Sequence, residues 1–355
     1  MRQNRVIVAM SGGVDSSVTA KLLKQEGFDV VGVFMKNWSG VISPDGMECS
    51  YRQDREDALR VAAQLDIPLQ TWDFEQEYRK YVFSYFLSEY KKGRTPNPDI
   101  VCNQWMKFRF FVERALKIGD WVATGHYARV THRGKRTRVF RGKDSEKDQS
   151  YFLCRVQEQQ LSRVLFPLGT WTKRDVRAFA KRSGIPTFDK PDSQGLCFVG
   201  EVPLQDFLSM YIAREPGDVV DADTREIVGT HQGLAFYTIG QRHGVPSHAG
   251  LPYYVIQKNL RANTLVVVAG NNHPRLFTHR FLAHQPLWIG PTPRFPFRCM
   301  VQVRYRQEPQ RAVVSKKSNG LVIETLEPQR AITPAQFVAF YRRDELLGSA
   351  VIRSS

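Results

Sequence analysis

RVIVAMSGGVDSSVTAKLL, residues 5–23, passes from an apolar run of strand type, through a glycine pair, into a segment of helical spacing. Val18, Leu22 and Leu23 form a partial apolar stripe on that segment. Gly12 and Gly13 let the backbone approach an anion closely and take positive φ. A helix starting just after them offers unpaired N–H groups and the positive end of its dipole. Ser11, Ser16 and Ser17 add hydroxyl donors, while Asp15 suits a magnesium ligand or a helix cap better than a phosphate contact. The string lacks the GKS or GKT of a Walker loop and the GxGxxG of a dinucleotide fingerprint.

Working outward, strand and helix patterns alternate. Val30–Met35 reads as a strand, DREDALRVAAQLD as a helix, PLQTW as a strand, residues 76–91 and 105–117 as helices, and WVATG as a strand. That alternation predicts an α/β fold built on a parallel sheet, with the first strand, turn and helix opening a nucleotide-binding domain. From Arg129 the chain turns basic and hairpin-like, with Arg-Gly-Lys at the turn. TKRDVRAFAKRS predicts an amphipathic helix capped by Thr172 and ended by Gly184. A short helical piece, PLQDFLSMY, follows Gly200, and from Phe277 short strand patterns predict a small β-barrel or sandwich. The expected division is residues 1–200, a nucleotide-binding catalytic domain; 201–270, a small central domain; and 271–355, a C-terminal β-barrel.

With 42% apolar and 12% aromatic residues the chain is expected to fold rather than stay disordered. The N-terminus is too short in apolar residues for a signal peptide, and no run approaches a membrane span, so a cytoplasmic protein without membrane partners is expected. Fifty-one Lys and Arg against 35 Asp and Glu leave a net charge of +16, which favours a polyanionic partner such as nucleic acid. The basic run of Arg129, Arg133, Lys135, Arg136, Arg138, Arg141 and Lys143 is expected to face phosphates. Arg304, Tyr305 and Arg306 interleave charge with a ring suited to stacking, and alternation on a barrel strand is the competing explanation.

Five cysteines, at 49, 102, 154, 197 and 299, include no CxxC pair, so neither a disulfide framework nor a zinc site is indicated, and no metal-ligating set stands out. Cys49, Cys154 and Cys299 read as buried thiols. Cys102, in GRTPNPDIVCN, and Cys197, in KPDSQGLCFVG, lie in segments read as loops, Pro96 and Pro98 being expected to keep the first out of a helix. His126 in ATGHYAR reads as a hydrogen-bonded histidine beside the nucleotide pocket.

SGGVDSS resembles the PP-loop of ATP pyrophosphatases, which adenylate a substrate oxygen and release pyrophosphate. Together with GRTPNPDIVCNQWMKF, ATGHYAR, KDQSYFL, FPLGTWTK, DSQGLCF and YTIGQRHG, it resembles the bacterial tRNA-specific 2-thiouridylase (MnmA) family and its mitochondrial relatives, over nearly the whole chain. The resemblance implies that Ala9, Met10, Ser11, Gly12, Gly13, Val14, Asp15 and Ser16 bind ATP with Mg2+, and that Met35 and Gly125 border the adenosine. It implies that Cys197 takes sulfur as a persulfide from a sulfur-relay protein or cysteine desulfurase. Cys102 would be its partner, attacking that persulfide to release hydrosulfide or assisting the sulfur's transfer, and a thiol reductant would reset the resulting Cys102–Cys197 disulfide. Asn97, Pro98 and Asp99 would contact the target uridine, with Asp99 a candidate acid/base, and Lys147, Asp148, Gln149, Arg304 and Tyr305 would contact tRNA. The chemistry agrees: a uracil carbonyl oxygen leaves only once activated, and a persulfide is a good displacing nucleophile.

Two positions depart from the family pattern, Ala335 and Arg343 standing where glycines are usual. If positive φ is needed there, a side chain costs roughly 1 kcal/mol. The rival readings are another PP-loop enzyme, such as a lysidine or GMP synthetase, and a non-catalytic tRNA-binding protein. The first does not need TPNPDIVCN together with DSQGLCF, and loss of the SGG or of either cysteine would point to the second, but neither is lost.

Overall fold

β1 (Arg5–Ala9) buries Val6, Ile7 and Val8 completely, as a central strand covered on both faces must. A computed structural model describes residues 4–40, 51–134, 136–192, 202–245, 247–248 and 251–353. β1 leads into α1 (Val14–Gln25), β2 (Asp29–Lys36), α2 (Tyr51–Gln64) and β3 (Leu69–Asp73). Two helical runs follow, α3 over residues 75–91 and α4 over residues 98–115, each carrying a π-helical stretch, Arg79–Phe83 and Asn103–Phe111. β4 (Trp121–Ala123) then returns to the sheet. The strand order is β3-β2-β1-β4 with a short β7 (Val164–Leu165) beyond β4, all parallel. Strand order reverses between β1 and β4, so the loops leaving their carboxyl ends diverge and open a crevice there.

Between β4 and β7 the chain makes the hairpin β5 (Ala128–Arg133) and β6 (Arg136–Arg141). α5 (Lys173–Arg182) has the expected ends: Thr172 accepts from the Asp175 N–H, and Gly184 takes φ +65°. After the short α6 (Leu204–Ser209) comes a five-stranded sheet of β8 (Gly217–Asp221), β9 (Ile227–His231), β10 (Ser247–His248), β11 (Leu251–Asn259) and β12 (Thr264–Ala269), ordered β10-β11-β12-β8-β9.

The last strands are β13 (Phe277–Trp288), β14 (Phe297–Gln302), β15 (Gln310–Lys317), β16 (Gly320–Arg330), β17 (Phe337–Arg342) and β18 (Glu345–Arg353). They pair in the order β13-β16-β15-β14-β17-β18, and β13 also pairs with β18, which closes a barrel around Phe281, Val314, Ile323 and Phe340. The basic hairpin extends this sheet, since Val139 and Phe140 of β6 pair with Leu346 and Glu345 of β18. The barrel is thereby fastened to the nucleotide-binding layer.

Three expectations change. Pro98 starts a helix rather than preventing one: it occupies the first turn of Pro98–Cys102, where no N–H is lost, and Asn97 caps it by accepting from the Ile100 N–H at 3.2 Å. Cys102 therefore sits in a helix, not a loop. Arg304, Tyr305 and Arg306 lie beyond the end of β14, in the turn toward β15, where Arg306 takes φ +63°.

Candidate functional site

The loop between β1 and α1 is held by its own hydroxyls. Ser16 Oγ donates to the Gly13 carbonyl at 3.1 Å and accepts from the Ser11 N–H at 3.2 Å, and Ser17 Oγ donates to the same carbonyl at 2.8 Å. Gly12 takes φ +76°, and a Cβ there would stand 2.1 Å from the Asp54 carbonyl oxygen, so only glycine fits. Gly13 is the residue before α1 and carries no side-chain cap, which leaves the helix N–H groups to an anion. Gly125, just past β4, packs on the same turn: its Cβ would lie 3.0 Å from the Ser16 nitrogen. Met10 is buried under the loop against Gly32, Val14 is buried at the start of α1, and Met35 is half-buried near the carboxyl end of β2. Ala9 to Ser16 and Gly125 thus meet at the sheet's switch point.

A network of ion pairs surrounds the loop. Asp15 is not the cap of α1, whose first position follows Gly13; Lys173 Nζ meets both its oxygens at 2.8 Å and the Tyr127 hydroxyl donates to it at 2.7 Å. Lys173 also pairs with Asp192 at 2.7 Å, as do Lys147 at 2.7 Å and Arg177 at 2.9 Å. Burial works against the Asp192 charge, but the ammonium groups of Lys147 and Lys173 outweigh it and pull its carboxyl down to about 2. On the other side, Lys190 Nζ pairs with Asp54 at 2.8 Å and Asp57 at 2.6 Å and reaches the Gly12 carbonyl at 3.3 Å. Four cations thus flank a phosphate-shaped turn. Among the described residues no cluster of His, Cys, Asp and Glu has the makings of a metal centre.

The segment carrying Cys102 is tied to the same strand end. His126, just past Gly125, is hydrogen-bonded on both ring nitrogens, to Thr124 Oγ1 at 2.7 Å and Asn103 Oδ1 at 3.0 Å. Asn103 Nδ2 donates to the Asp99 carbonyl at 2.9 Å, so its oxygen faces the histidine. Nε2 must then carry the proton while Nδ1 accepts from Thr124. Burial, helped by the Lys107 charge, holds this imidazole well below the ordinary histidine range, so it is a neutral strut rather than a base. Cys102 is 2% exposed in the helix this strut supports, and Asp99 is half-buried one turn before it. Asn97 and Pro98 start that helix, and the barrel grips it: Gln336 Nε2 donates to the Thr95 and Pro96 carbonyls at 2.8 and 3.0 Å, and Asn97 Nδ2 donates to Gln336 Oε1 at 3.4 Å. Cys49 and Cys197 lie outside the described residues. Burial pushes the thiols of Cys154 and Cys299 up to about 12, which suits the inert role expected of both.

The residues expected at a tRNA face divide. Asp148 is buried, bound to Arg141 at 2.7 Å and to the N–H groups of Gly142 and Ser150. Gln149 accepts from the Tyr127 N–H at 3.0 Å, and Lys147 is occupied by Asp192. Four of the hairpin's arginines are likewise engaged, Arg129 by Asp344, Arg136 by Glu158, Arg138 by Glu345 and Arg141 by Asp148. That face is laced with ion pairs and is not a bare cationic stripe; Lys135 lies outside the described residues. Tyr305 packs on Phe152 at 4.5 Å between ring centres, and Arg306 also lies over its ring. Arg304 reaches the Ala331 carbonyl at 2.6 Å.

Sequence reading passed over Lys173, Lys190, Asp192 and Tyr127. All stand within or beside quoted blocks, FPLGTWTK, KPDSQGLCFVG and ATGHYAR, but their partners are far away along the chain.

Comparison with known proteins adds three family models. A tRNA methyl transferase HUP domain matches residues 4–201, a tRNA methyl transferase PRC-barrel domain residues 205–269, and an aminomethyltransferase beta-barrel domain residues 278–352. The tRNA-specific 2-thiouridylase MnmA 1 of Geobacillus kaustophilus is 47% identical, over 99% of this chain and 96% of its own. MnmA of Halalkalibacterium halodurans is 48% identical over 99% and 95%, and that of Staphylococcus aureus strain RF122 is 44% identical over 98% and 95%. Among solved structures, the NMN synthetase of Francisella tularensis overlaps 54% of this chain and 66% of its own at 18% identity and a TM-score of 0.33, too distant to inform function.

Proposed function

The chain belongs to the tRNA-specific 2-thiouridylase (MnmA) family, and from that premise we propose that it is a tRNA-uridine 2-sulfurtransferase that spends ATP to replace the carbon-2 oxygen of the wobble uridine with sulfur. The observation that carries this is the meeting of three elements at one switch point: the SGGVDS turn, Gly125 packed on it, and the helix ending at Cys102, strutted from the same strand end through His126 and Asn103.

ATP fits the turn: Gly12 and Gly13 admit the phosphates, the N–H groups opening α1 receive them, and Lys173 and Lys190 stand ready to neutralise them. When bound, ATP supplies an adenylyl group that turns the uracil oxygen into a leaving group. Mg2+ would travel with the triphosphate, since Asp15 already faces Lys173. Cys197 would carry a persulfide received from a sulfur-relay protein or cysteine desulfurase. Its outer sulfur becomes bonded to uracil carbon 2 as adenylate leaves. The Cys102 thiolate attacks Cys197 Sγ, the outer sulfur departs on uracil carbon 2 with the electron pair of the broken S–S bond, and a Cys102–Cys197 disulfide remains. A thiol reductant then returns two electrons to reset the pair. Asp99 would assist at the base. We place the enzyme in the cytoplasm; no helix among the described residues is long and apolar enough to cross a membrane.

The test is pyrophosphate release with and without tRNA, alongside mass spectrometry of tRNA nucleosides. The expected result is tRNA-dependent release and 2-thiouridine that needs a persulfide donor. Release without thiolation under full donor supply would overturn the sulfur-transfer reading, and release independent of tRNA would overturn the substrate.

A further inference from the structure

Two guanidinium groups meet where the central sheet faces the barrel, and neither has a carboxylate partner among the described residues. Gly240, with φ +85° in the loop after β9, sits against them: Arg330 Nη1 is 3.5 Å and Arg304 Nη2 is 3.7 Å from the point its Cβ would occupy. Arg330 donates through Nη2 to Asn271 Oδ1 at 3.0 Å and lies over the Tyr254 ring at 5.1 Å, yet its Nε is buried with no hydrogen-bond partner. Arg304 is satisfied only by the neutral oxygens of Ala331 and Thr333, at 2.6 and 3.3 Å. Ala331, next to Arg330 in sequence and accepting from Arg304 through its carbonyl, is held at φ +52°, a conformation a non-glycine residue pays to adopt.

Lys173, Lys190 and Arg141 are each matched to a carboxylate. Arg155 and Lys258 each bury a side-chain nitrogen singly, without a carboxylate among the described residues, whereas Arg304 and Arg330 are two cations brought together. Holding two like charges together at a partly buried site with no counter-ion is costly, and an oxyanion with several acceptors removes that cost. Burial and the neighbouring Arg330 charge both push the Arg304 guanidinium below its ordinary value, as expected of a cation lacking its anion. The pocket borders the turn that carries Tyr305, whose ring is only half-buried.

We propose that Arg304 and Arg330, framed by Gly240, form a binding site for one backbone phosphodiester of the RNA substrate, at the junction of the central sheet and the barrel. This rests on the reading of the protein as a tRNA enzyme. It adds Arg330 and a specific anion pocket to that reading.

The experiment is tRNA binding measured across a salt series for wild type, Arg330→Gln and Asn271→Asp. Losing one phosphate contact should weaken binding and flatten the slope of log affinity against log salt by about 0.9. Asn271→Asp should do the same by the opposite route: it places a carboxylate on Arg330, adds an ion pair and so keeps the fold, but fills the site with the protein's own anion. Asn271→Ala removes the hydrogen bond and keeps the charge, and should leave the slope unchanged. Wild-type slopes in both Arg330→Gln and Asn271→Asp would overturn the proposal, and should Arg330→Gln fail to fold, Asn271→Asp decides alone. If inorganic phosphate at fixed ionic strength stabilises wild type but not Arg330→Gln, while the tRNA slopes stay equal, the site takes free phosphate and the RNA assignment is wrong. If wild type binds no tRNA at all, the premise has failed rather than the pocket.

Discussion

Asp192 holds three cations beside the phosphate turn, and replacing it with Asn should show how much that arrangement contributes. Lys147, Lys173 and Arg177 meet its oxygens at 2.7, 2.7 and 2.9 Å. Its burial favours the neutral acid, but Lys147 and Lys173 hold the carboxyl down to about 2, against an ordinary 3.8. At about 1.36 kcal/mol per pKa unit, that difference corresponds to about 2.4 kcal/mol. A quarter of the side chain still faces water, 25% by exposure. Solvent screening therefore brings the expected contribution to about 1–2 kcal/mol. The sign follows from the depressed pKa: the stabilisation is complete above the unfolded value of 3.8 and fades as pH falls from there toward 2. Asp192→Asn should be about 1–2 kcal/mol less stable than wild type at pH 7, with roughly half that gap gone at pH 3. Urea unfolding at pH 7, 4 and 3 measures it. A gap that stays the same from pH 7 to pH 3 would refute the electrostatic reasoning, and no gap at pH 7 would show that the three cations do not depend on this carboxylate.

Other outcomes follow from the same geometry. Arg343 is exposed at φ +57° in the turn from β17 to β18; Arg343→Gly relieves about 1–2 kcal/mol of left-handed strain and gives back about 0.4–1 in unfolded-chain entropy, so thermal unfolding should show a net gain of about 0.5–1 kcal/mol. Ala335→Gly, at φ +71° but buried, also loses about 0.8 kcal/mol of methyl burial and should change stability little. Cys102→Ser should abolish 2-thiouridine formation while tRNA-dependent pyrophosphate release continues, whereas Cys154→Ser and Cys299→Ser should leave thiolation intact; thiolation by Cys102→Ser would remove Cys102 from the chemistry. His126, buried neutral, loses part of the native state's stability as pH falls below the ordinary histidine value of 6.5, because the unfolded chain takes up a proton the folded one resists. His126→Gln should flatten that fall between pH 7 and 5 in denaturant titrations, and an unchanged profile would place the titration elsewhere.

What was legible in the sequence was local. A strand, two glycines and a helix are written in consecutive residues, so SGGVDS could be placed before any tertiary contact was known, and the period-two runs after Phe277 likewise announced strands. Pro98 misled because a proline both breaks helices and opens them, and only the Asn97 cap decides which. The basic hairpin shows a different limit. Charge counting sees Arg129 and Arg138, but the carboxylates that neutralise them arrive from Asp344 and Glu345, more than 200 residues later. Lys173 and Asp15 are 158 residues apart, and Lys190 and Asp57 are 133 apart, so the cations around the turn had no sequence signature of their own.

Those long-range pairs also bear on the order of events in the proposed reaction. Cys102 cannot travel far. Its helix is capped by Asn97, clamped from the barrel by Gln336, and strutted through Asn103 and His126 to the end of β4, whose neighbour Gly125 packs on the phosphate turn. In the proposed pair, Cys102 is thus the member held by these contacts. Lys190 and Asp192, which lead toward Cys197 in sequence, are the very ones paired across the phosphate turn, to Asp54 and Asp57 and to Lys147, Lys173 and Arg177. A bound triphosphate competes with Asp15, Asp54 and Asp57 for the same ammonium groups, so filling the turn with nucleotide must redistribute the pairs that anchor the Cys197 side while leaving the struts of Cys102 untouched. On the proposed function, the activation step and the Cys197 side would be coupled through Lys173 and Lys190, with Cys102 held by contacts independent of both.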